Sequence, residues 1–359
     1  MVGLADTVEM LTRAARHRPP PRADGPAAPH LTEITAPEAG HLRFFACVPD
    51  GLPPGAPLVV ALHGCWHGAS EYDQGTGWSS LARRHGFALL LPEQTPANNA
   101  QGCFNWFEPA DAAREAAGVR AAAERMVRDH ALDRGRVFVT GLSAGGAMAA
   151  TLLASHPDLF AAGAVIAGLP HGAATGVAGA IESMYQGRIR PEREWGELAR
   201  RASGHRGPWP RLQVWHGTAD STVVPVNAGE LVKQWRDLHG LPAAPDAAGR
   251  VDGAAYQAWH GPDGAPLLES YLVPGLAHVA PIDPAAPEAE RRCGAAGPCA
   301  QSAGISSTYH IARFWGLVGE GHAVRAEGPK PAETAPEFNL AALFDPMAWA
   351  ASLLGARPF

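Results

Sequence analysis

The chain of 359 residues is 46% hydrophobic, enough to bury the core of one large α/β domain or two small ones. Its formal net charge of −6, with no block of Lys or Arg, argues against a nucleic-acid or anionic-membrane partner and for a neutral or apolar one. No run reaches the roughly 20 apolar residues of a membrane span, and Met1 to Arg22 is broken by Glu9 and several arginines where a secretory signal needs an apolar core. A leaderless chain, cytoplasmic by default, is expected on that ground. The five cysteines pull the other way: Cys65 and Cys103 lie near motif loops, Cys293 and Cys299 are close in sequence, and Cys47 is left over. That leaves room for two disulfides and one buried thiol, a pattern at home in an oxidising compartment.

Residues 1–39 read as a peripheral arm, with an amphipathic stretch from Leu4 to Arg16, three prolines at 19–21 and a Pro/Ala-rich linker. The main domain is expected over residues 40–320. Arg43 to Val48 is predicted as a strand, and Pro49 to Gly55 as a turn. Pro57 to Leu62 is a continuous apolar run of the kind that forms a strand covered on both faces, and it ends in His63-Gly64-Cys65-Trp66. His63 is read as a side chain that stabilises this loop rather than a catalytic group. A helix follows from Gly77-Trp78 to His85, then a buried strand from Phe87 to Leu91. The loop from Asn98 to Pro109 sets Phe104, Trp106 and Phe107 among small polar residues, where the rings either pack underneath or line a cleft. Asp111 to His130 is predicted as a long helix, and a strand begins at Arg136.

That strand runs into Gly141-Leu142-Ser143-Ala144-Gly145, a G-x-S-x-G pattern followed by an Ala-rich segment of high helical propensity. The pattern is short and common, so its context carries the weight: a strand before it and a helix after it. A turn this sharp strains the backbone at the serine, and only glycines beside it let strand and helix approach closely. Ser143 is the candidate nucleophile. The amides of Ala144 and Cys65, with that of Trp66 as a further option, are the candidate oxyanion-hole donors.

Phe160 to Ile166 reads as the next strand, and residues 173–206 as a helical but poorly periodic insertion where a cap would sit. Arg211 to Trp215 is a strand that leads into His216-Gly217-Thr218-Ala219-Asp220, which makes Asp220 the candidate carboxylate, with Asp283 and Asp263 as rivals. Val226 to His239 is helical, and Tyr256–Trp259 with Glu269–Val273 form a late hairpin or paired strands. The last of these ends in Pro274-Gly275-Leu276-Ala277-His278, and a histidine there completes the chain order Ser, Asp, His. His310 is expected to pack on the last helix. Residues 321–359 read as a Pro/Glu/Ala-rich tail with short docking helices at 338–344 and 347–354.

Taken together, His63-Gly64-Cys65, Gly75-Thr76-Gly77-Trp78, Pro92-Glu93-Gln94, Gly102 to Phe107, Gly141 to Met148 and Tyr309 to Trp315 resemble the poly(3-hydroxybutyrate) depolymerase family of esterases, relatives of feruloyl and acetylxylan esterases. The resemblance spans roughly residues 40–320. It implies an α/β-hydrolase fold with a mostly parallel sheet and a small cap, ester hydrolysis, a Ser143, Asp220, His278 triad, and a bridge between Cys65 and Cys103. Cys293–Cys299 is the second expected pair. The chain departs from the family in having no visible leader or polymer-binding module. The side-chain chemistry needs no metal or organic cofactor, and no C-x-x-C or H-E-x-x-H pattern occurs. Trp66, Phe104, Trp106 and Trp215 are the candidate substrate walls, with an ordinary core role as the alternative for Trp215 and for Trp78. The expected substrate is a short neutral ester, with 3-hydroxybutyrate polymers or oligomers foremost and feruloyl or acetylxylan esters next. A peptidase and a catalytically silent binding protein are the readings from other classes.

Overall fold

The structure, a computed structural model, describes residues 30–36 and 41–319. Among the described residues twelve strands are formed: β1 (Thr32–Ile34), β2 (Leu42–Cys47), β3 (Leu58–Leu62), β4 (Ala88–Gln94), β5 (Val137–Leu142), β6 (Ala162–Ile166), β7 (Arg211–Gly217), β8 (Ala247–Val251), β9 (Ala254–His260), β10 (Pro266–Val273), β11 (Ala280–Ile282) and β12 (Ala300–Ser302). The first ten make one sheet in the order β1-β2-β4-β3-β5-β6-β7-β10-β9-β8, and the last two a small parallel pair. The six central strands, β4 to β10 in that order, are parallel. Antiparallel strands close both edges.

Strand alternation divides the apolar residues between two cores. Leu58, Val60 and Leu62 of β3 enter one, and Val59 and Ala61 enter the other, as a period of two requires. The first core is covered by α3 (Pro109–Asp129), α4 (Ala144–Ser155) and α7 (Val226–His239), and the second by α1 (Ala69–Thr76), α2 (Trp78–His85) and α8 (Ser307–Phe314). The result is a three-layer α/β-hydrolase arrangement. α4 is buried on every side from Ala144 to Ala154, which explains a sequence apolar all round rather than on one stripe.

The insertion between β6 and β7 folds into α5 (Gly176–Tyr185) and α6 (Glu192–Ala202), and α6 packs along α7. α5 is tied to the aromatic loop by Gly176 N–H to Phe107 O at 2.8 Å. A second tie runs from Val224 N–H, just beyond Asp220, to Met184 O at 2.8 Å.

One local expectation changes, and two elements appear that the sequence reading did not include. Part of the arm is not peripheral, because Thr32–Ile34 pairs with Phe44–Ala46 at the sheet edge. Gly77, with φ 76°, joins two helices, and the polar α1 that precedes it has little beyond Ala69 and Tyr72 to announce it as one. β8, an Ala/Gly/Arg strand, is held by the hairpin turn Asp252-Gly253, where both residues take positive φ (49° and 82°). The amphipathic stretch at 4–16 and the tail helices expected at 338–354 lie outside the described residues. No described helix is long and apolar enough to cross a membrane.

Candidate active site

Ser143 stands between β5 and α4 with φ 57° and ψ −120°, a left-handed conformation for a residue that has a Cβ. Its neighbours make the turn possible. A Cβ on Gly145 would lie 2.4 Å from both Leu62 O and His63 O, and one on Gly141 would lie 2.2 Å from Gly145 O. The helix thus starts against the end of β3, and Ser143 N–H is held by Ile166 O at 2.9 Å.

The loops after β7 and β10 meet the serine from the other side. Gly217 permits this, since a Cβ there would sit 2.1 Å from Leu276 O, and Ala219 N–H donates to that same carbonyl at 3.0 Å. His278 Nε2 lies 2.7 Å from Ser143 Oγ, and its Nδ1 lies 2.7 Å from Asp220 Oδ2. Asp220 Oδ1 accepts from the N–H groups of Thr222 and Val223, both at 2.9 Å. A second histidine, His216, brings Nε2 to 3.3 Å from Asp220 Oδ2 and 2.8 Å from Val223 O. Burial pushes the Asp220 carboxyl up, but hydrogen bonds from His216 and His278 outweigh it and hold the group well below the usual carboxylate range. An ionised Asp220 keeps the proton of His278 on Nδ1, so the Nε2 lone pair faces the serine hydroxyl.

The rivals lie elsewhere. Asp263 Oδ1 accepts from Ala265 N–H within its own turn, and Asp283 follows β11 without contacting His278. His310 sits on α8, as expected, with Nε2 2.9 Å from Asp252 Oδ2. His63 donates from Nδ1 to Gly64 O at 2.8 Å and accepts Gln94 N–H on Nε2 at 3.1 Å, the loop-stabilising role read from the sequence. His216 was missed, although a histidine immediately before the glycine of the acid loop was there to be read.

The loop after β3 lies beside the nucleophile: a Cβ on Gly64 would be 3.4 Å from the Ser143 Cβ. A disulfide between Cys65 and Cys103 pins that loop to the aromatic loop. Among the described residues neither the Cys65 nor the Ala144 N–H has a backbone acceptor, and Ala144 opens α4, where amides are unpaired and the helix dipole is positive. Trp66 N–H is excluded as a further donor because it is spent on Gln101 O at 2.9 Å. The expected Cys293–Cys299 bridge is absent. Both thiols are buried but turn to different carbonyls, Cys293 Sγ to Glu290 O at 3.3 Å and Cys299 Sγ to Glu71 O at 3.5 Å. Cys47 is a buried thiol, as expected.

Two of the four aromatic walls move to the core. Phe104 is fully buried against His63, and Trp215 is fully buried, stacked on Tyr271 at 4.0 Å with Nε1 bonded to Gln213 Oε1. Trp78 is also core. Trp66 and Trp106 remain partly open, and Trp106 packs on a cluster that includes Ala147, four residues beyond Ser143, and Val223, three beyond Asp220. The loop that carries Trp106 is fixed by a buried carboxyl the sequence reading overlooked. Glu115 of α3 accepts from Asn105 N, Asn105 Nδ2, Asn98 Nδ2 and Gln94 Nε2, all within 2.6–2.9 Å. Burial raises its pKa, opposed by those same donors.

A family model described as Esterase PHB depolymerase matches residues 48–255. The chain is 41% identical over 284 residues to a poly(3-hydroxyalkanoate) depolymerase C of Paucimonas lemoignei, covering 78% of this chain and 68% of that protein. It is 34% identical over 253 residues to a feruloyl esterase B of Neurospora crassa, covering 68% and 85% of the two chains. Among solved structures, an acetyl xylan esterase from Aspergillus awamori shares the fold, with a TM-score of 0.66 at 22% identity over 80% of this chain and 99% of that one.

Proposed function

The chain belongs to the Esterase PHB depolymerase family and is a serine esterase, and from that premise we propose that Ser143, His278 and Asp220 hydrolyse short neutral esters, foremost those of 3-hydroxybutyrate. The observation that carries the mechanism is the unbroken relay of two 2.7 Å contacts from Ser143 Oγ through His278 to Asp220. His278 Nε2 takes the serine proton as Oγ attacks the ester carbonyl, and Asp220 stabilises the imidazolium that forms. The amides of Cys65 and Ala144 receive the oxyanion. His278 then hands the proton to the departing alcohol, an acyl-Ser143 remains, and water attacks it by the same base to release the acid.

Three features support the neutral substrate: the net charge of −6, the partly open rings of Trp66 and Trp106, the latter packed on a cluster with Ala147 and Val223, and the poly(3-hydroxyalkanoate) depolymerase relative. The feruloyl esterase relative favours an aryl or acetyl sugar ester as the second reading. The test compares p-nitrophenyl acetate, hydroxybutyrate oligomers, methyl ferulate and acetylated xylo-oligosaccharides on the parent and on Trp106→Ala. Oligomer turnover should exceed that of ferulate and of the sugar ester. Trp106→Ala should raise KM for the oligomer by about tenfold, the loss of part of a buried ring, with little change for the acetate. Preference for ferulate transfers the assignment to the second reading, and an equal rise for both substrates returns Trp106 to a structural role.

A further inference from the structure

Glu115 takes no part in the reaction derived above, yet it is fully buried and has no ion pair among the described residues. A carboxylate taken out of water without a cation is costly. Its partners are all amide donors, which holds it in the acceptor-only, ionised form. Oε1 receives Asn105 Nδ2 at 2.6 Å, Asn98 Nδ2 at 2.7 Å and Gln94 Nε2 at 2.8 Å, and Oε2 receives Asn105 N–H at 2.9 Å. Hydrogen bonds to an ionised acceptor are roughly twice as strong as neutral ones, so the charge holds these groups more stiffly than a neutral side chain would. The base is firm as well, because Ala112, Ala116 and Val119 seat α3 in the first core.

Two routes lead from Glu115 to the Cys65 amide. The first runs along the aromatic loop. Asn105 Oδ1 accepts Asn99 Nδ2 at 2.7 Å, and Asn99 Oδ1 accepts the N–H groups of Gln101 at 3.0 Å and Cys103 at 3.3 Å. Those two residues grip the loop after β3, Cys103 through its disulfide to Cys65 and Gln101 through the carbonyl that accepts Trp66 N–H at 2.9 Å. The second route passes through Gln94, whose Nε2 also donates to Cys103 O at 2.9 Å and whose backbone N–H meets His63 Nε2 at 3.1 Å. His63 Nδ1 in turn donates to Gly64 O at 2.8 Å. Gly64 O and Cys65 N–H belong to one planar trans peptide and point in opposite directions, so fixing the carbonyl aims the N–H.

We propose that Glu115 is a positioning residue for the oxyanion hole: through both routes it sets Cys65 N–H for the developing oxyanion, and so acts on the transition state rather than on substrate binding. This rests on the Ser143 mechanism and on Cys65 N–H as a donor. Glu115→Gln tests it with little change of size, since either orientation of the amide sets an NH2 against an N–H donor. Turnover of p-nitrophenyl acetate is expressed per site counted by stoichiometric phosphonate labelling, so that misfolded chains do not contribute. kcat should fall at least about tenfold with KM within about threefold of the parent. Ki for butylboronic acid, whose tetrahedral adduct on Ser143 puts an oxygen at the oxyanion position, should rise by a similar factor. Asn99→Ala decides the matter if Glu115→Gln does not fold, because Asn99 is only half-buried on the loop. It cuts the first route and should lower kcat about three- to fivefold, and in the double variant the two losses should fall short of multiplying. An unchanged kcat per site with a lower urea midpoint, a fall in kcat without weaker boronate binding, or a KM rise confined to hydroxybutyrate oligomers, which would mark action through Trp106, overturns the proposal. Parent turnover that survives Ser143→Ala would overturn the serine mechanism and the proposal with it, a failure that no result at Glu115 can mimic.

Discussion

At the scale of single residues, two of the three triad members are held in place by groups that do no chemistry. Ser143 keeps its left-handed backbone because Gly141 and Gly145 let α4 start against β3, and Asp220 keeps its orientation because Thr222, Val223 and His216 donate to it. The consequence is specific to the carboxylate's charge. Asp220→Asn preserves size and most of the backbone contacts, but replaces the acceptor for His278 Nδ1–H with a group that can present a donor there. It should lower kcat by roughly 10³–10⁴ with the near-UV circular dichroism unchanged. A fall of less than about tenfold would remove Asp220 from the mechanism and direct the next substitution to another acceptor.

Among secondary-structure elements, the buried parallel strands were legible because they are short continuous apolar runs. The elbow was legible because its glycines answer a steric demand. Elements whose stability comes from their surroundings were not. α1 is polar and is fixed by its place under β4, where Glu93 accepts from Ala69 N–H. β8 has almost no β-branched residues, yet Asp252-Gly253 was a hairpin signal in plain view. Phe104 and Trp215 illustrate a different failure. Nearness to the carboxyl end of a strand or to a motif loop says where a residue lies along the chain, while the parity of the strand and the packing of the loop decide which way its ring turns. Gln213, Trp215 and Tyr271 share one face, under α8, and that face is closed. The cysteines teach the same lesson: six residues of separation between Cys293 and Cys299 did not bring the thiols together, because a β-bridge and the contact with α1 fix Cys299 separately.

For the whole molecule, histidines that are half-buried (His171, His239) or buried (His310) against the helices resist protonation, and this shapes its response to acid. Desolvation pushes His171 down to about 4, and lowers His239 and His310 as well. The unfolded chain takes up a proton near pH 6.5 that the native His171 refuses until about pH 4. Stability from this source is therefore complete above 6.5 and lost as the pH falls toward 4. The urea midpoint should drop across that interval, and His171→Gln should reduce the drop. An identical drop in the variant would show that His171 does not couple folding to pH. His171 also exchanges hydrogen bonds through its backbone with Gln234 of α7, so the variant's midpoint above pH 6.5 provides the baseline.

The central claim is that Ser143, activated by His278, becomes the acyl carrier. The most direct measurement is mass spectrometry of the chain after treatment with an activated alkyl phosphonate, followed by peptide mapping. One adduct per chain, located on Ser143 and formed in step with the loss of esterase activity, is the predicted result. Loss of adduct formation in Ser143→Ala and sharply slowed labelling in His278→Ala should accompany it. Labelling of a different residue in step with inactivation, or full esterase activity in Ser143→Ala, would contradict the account.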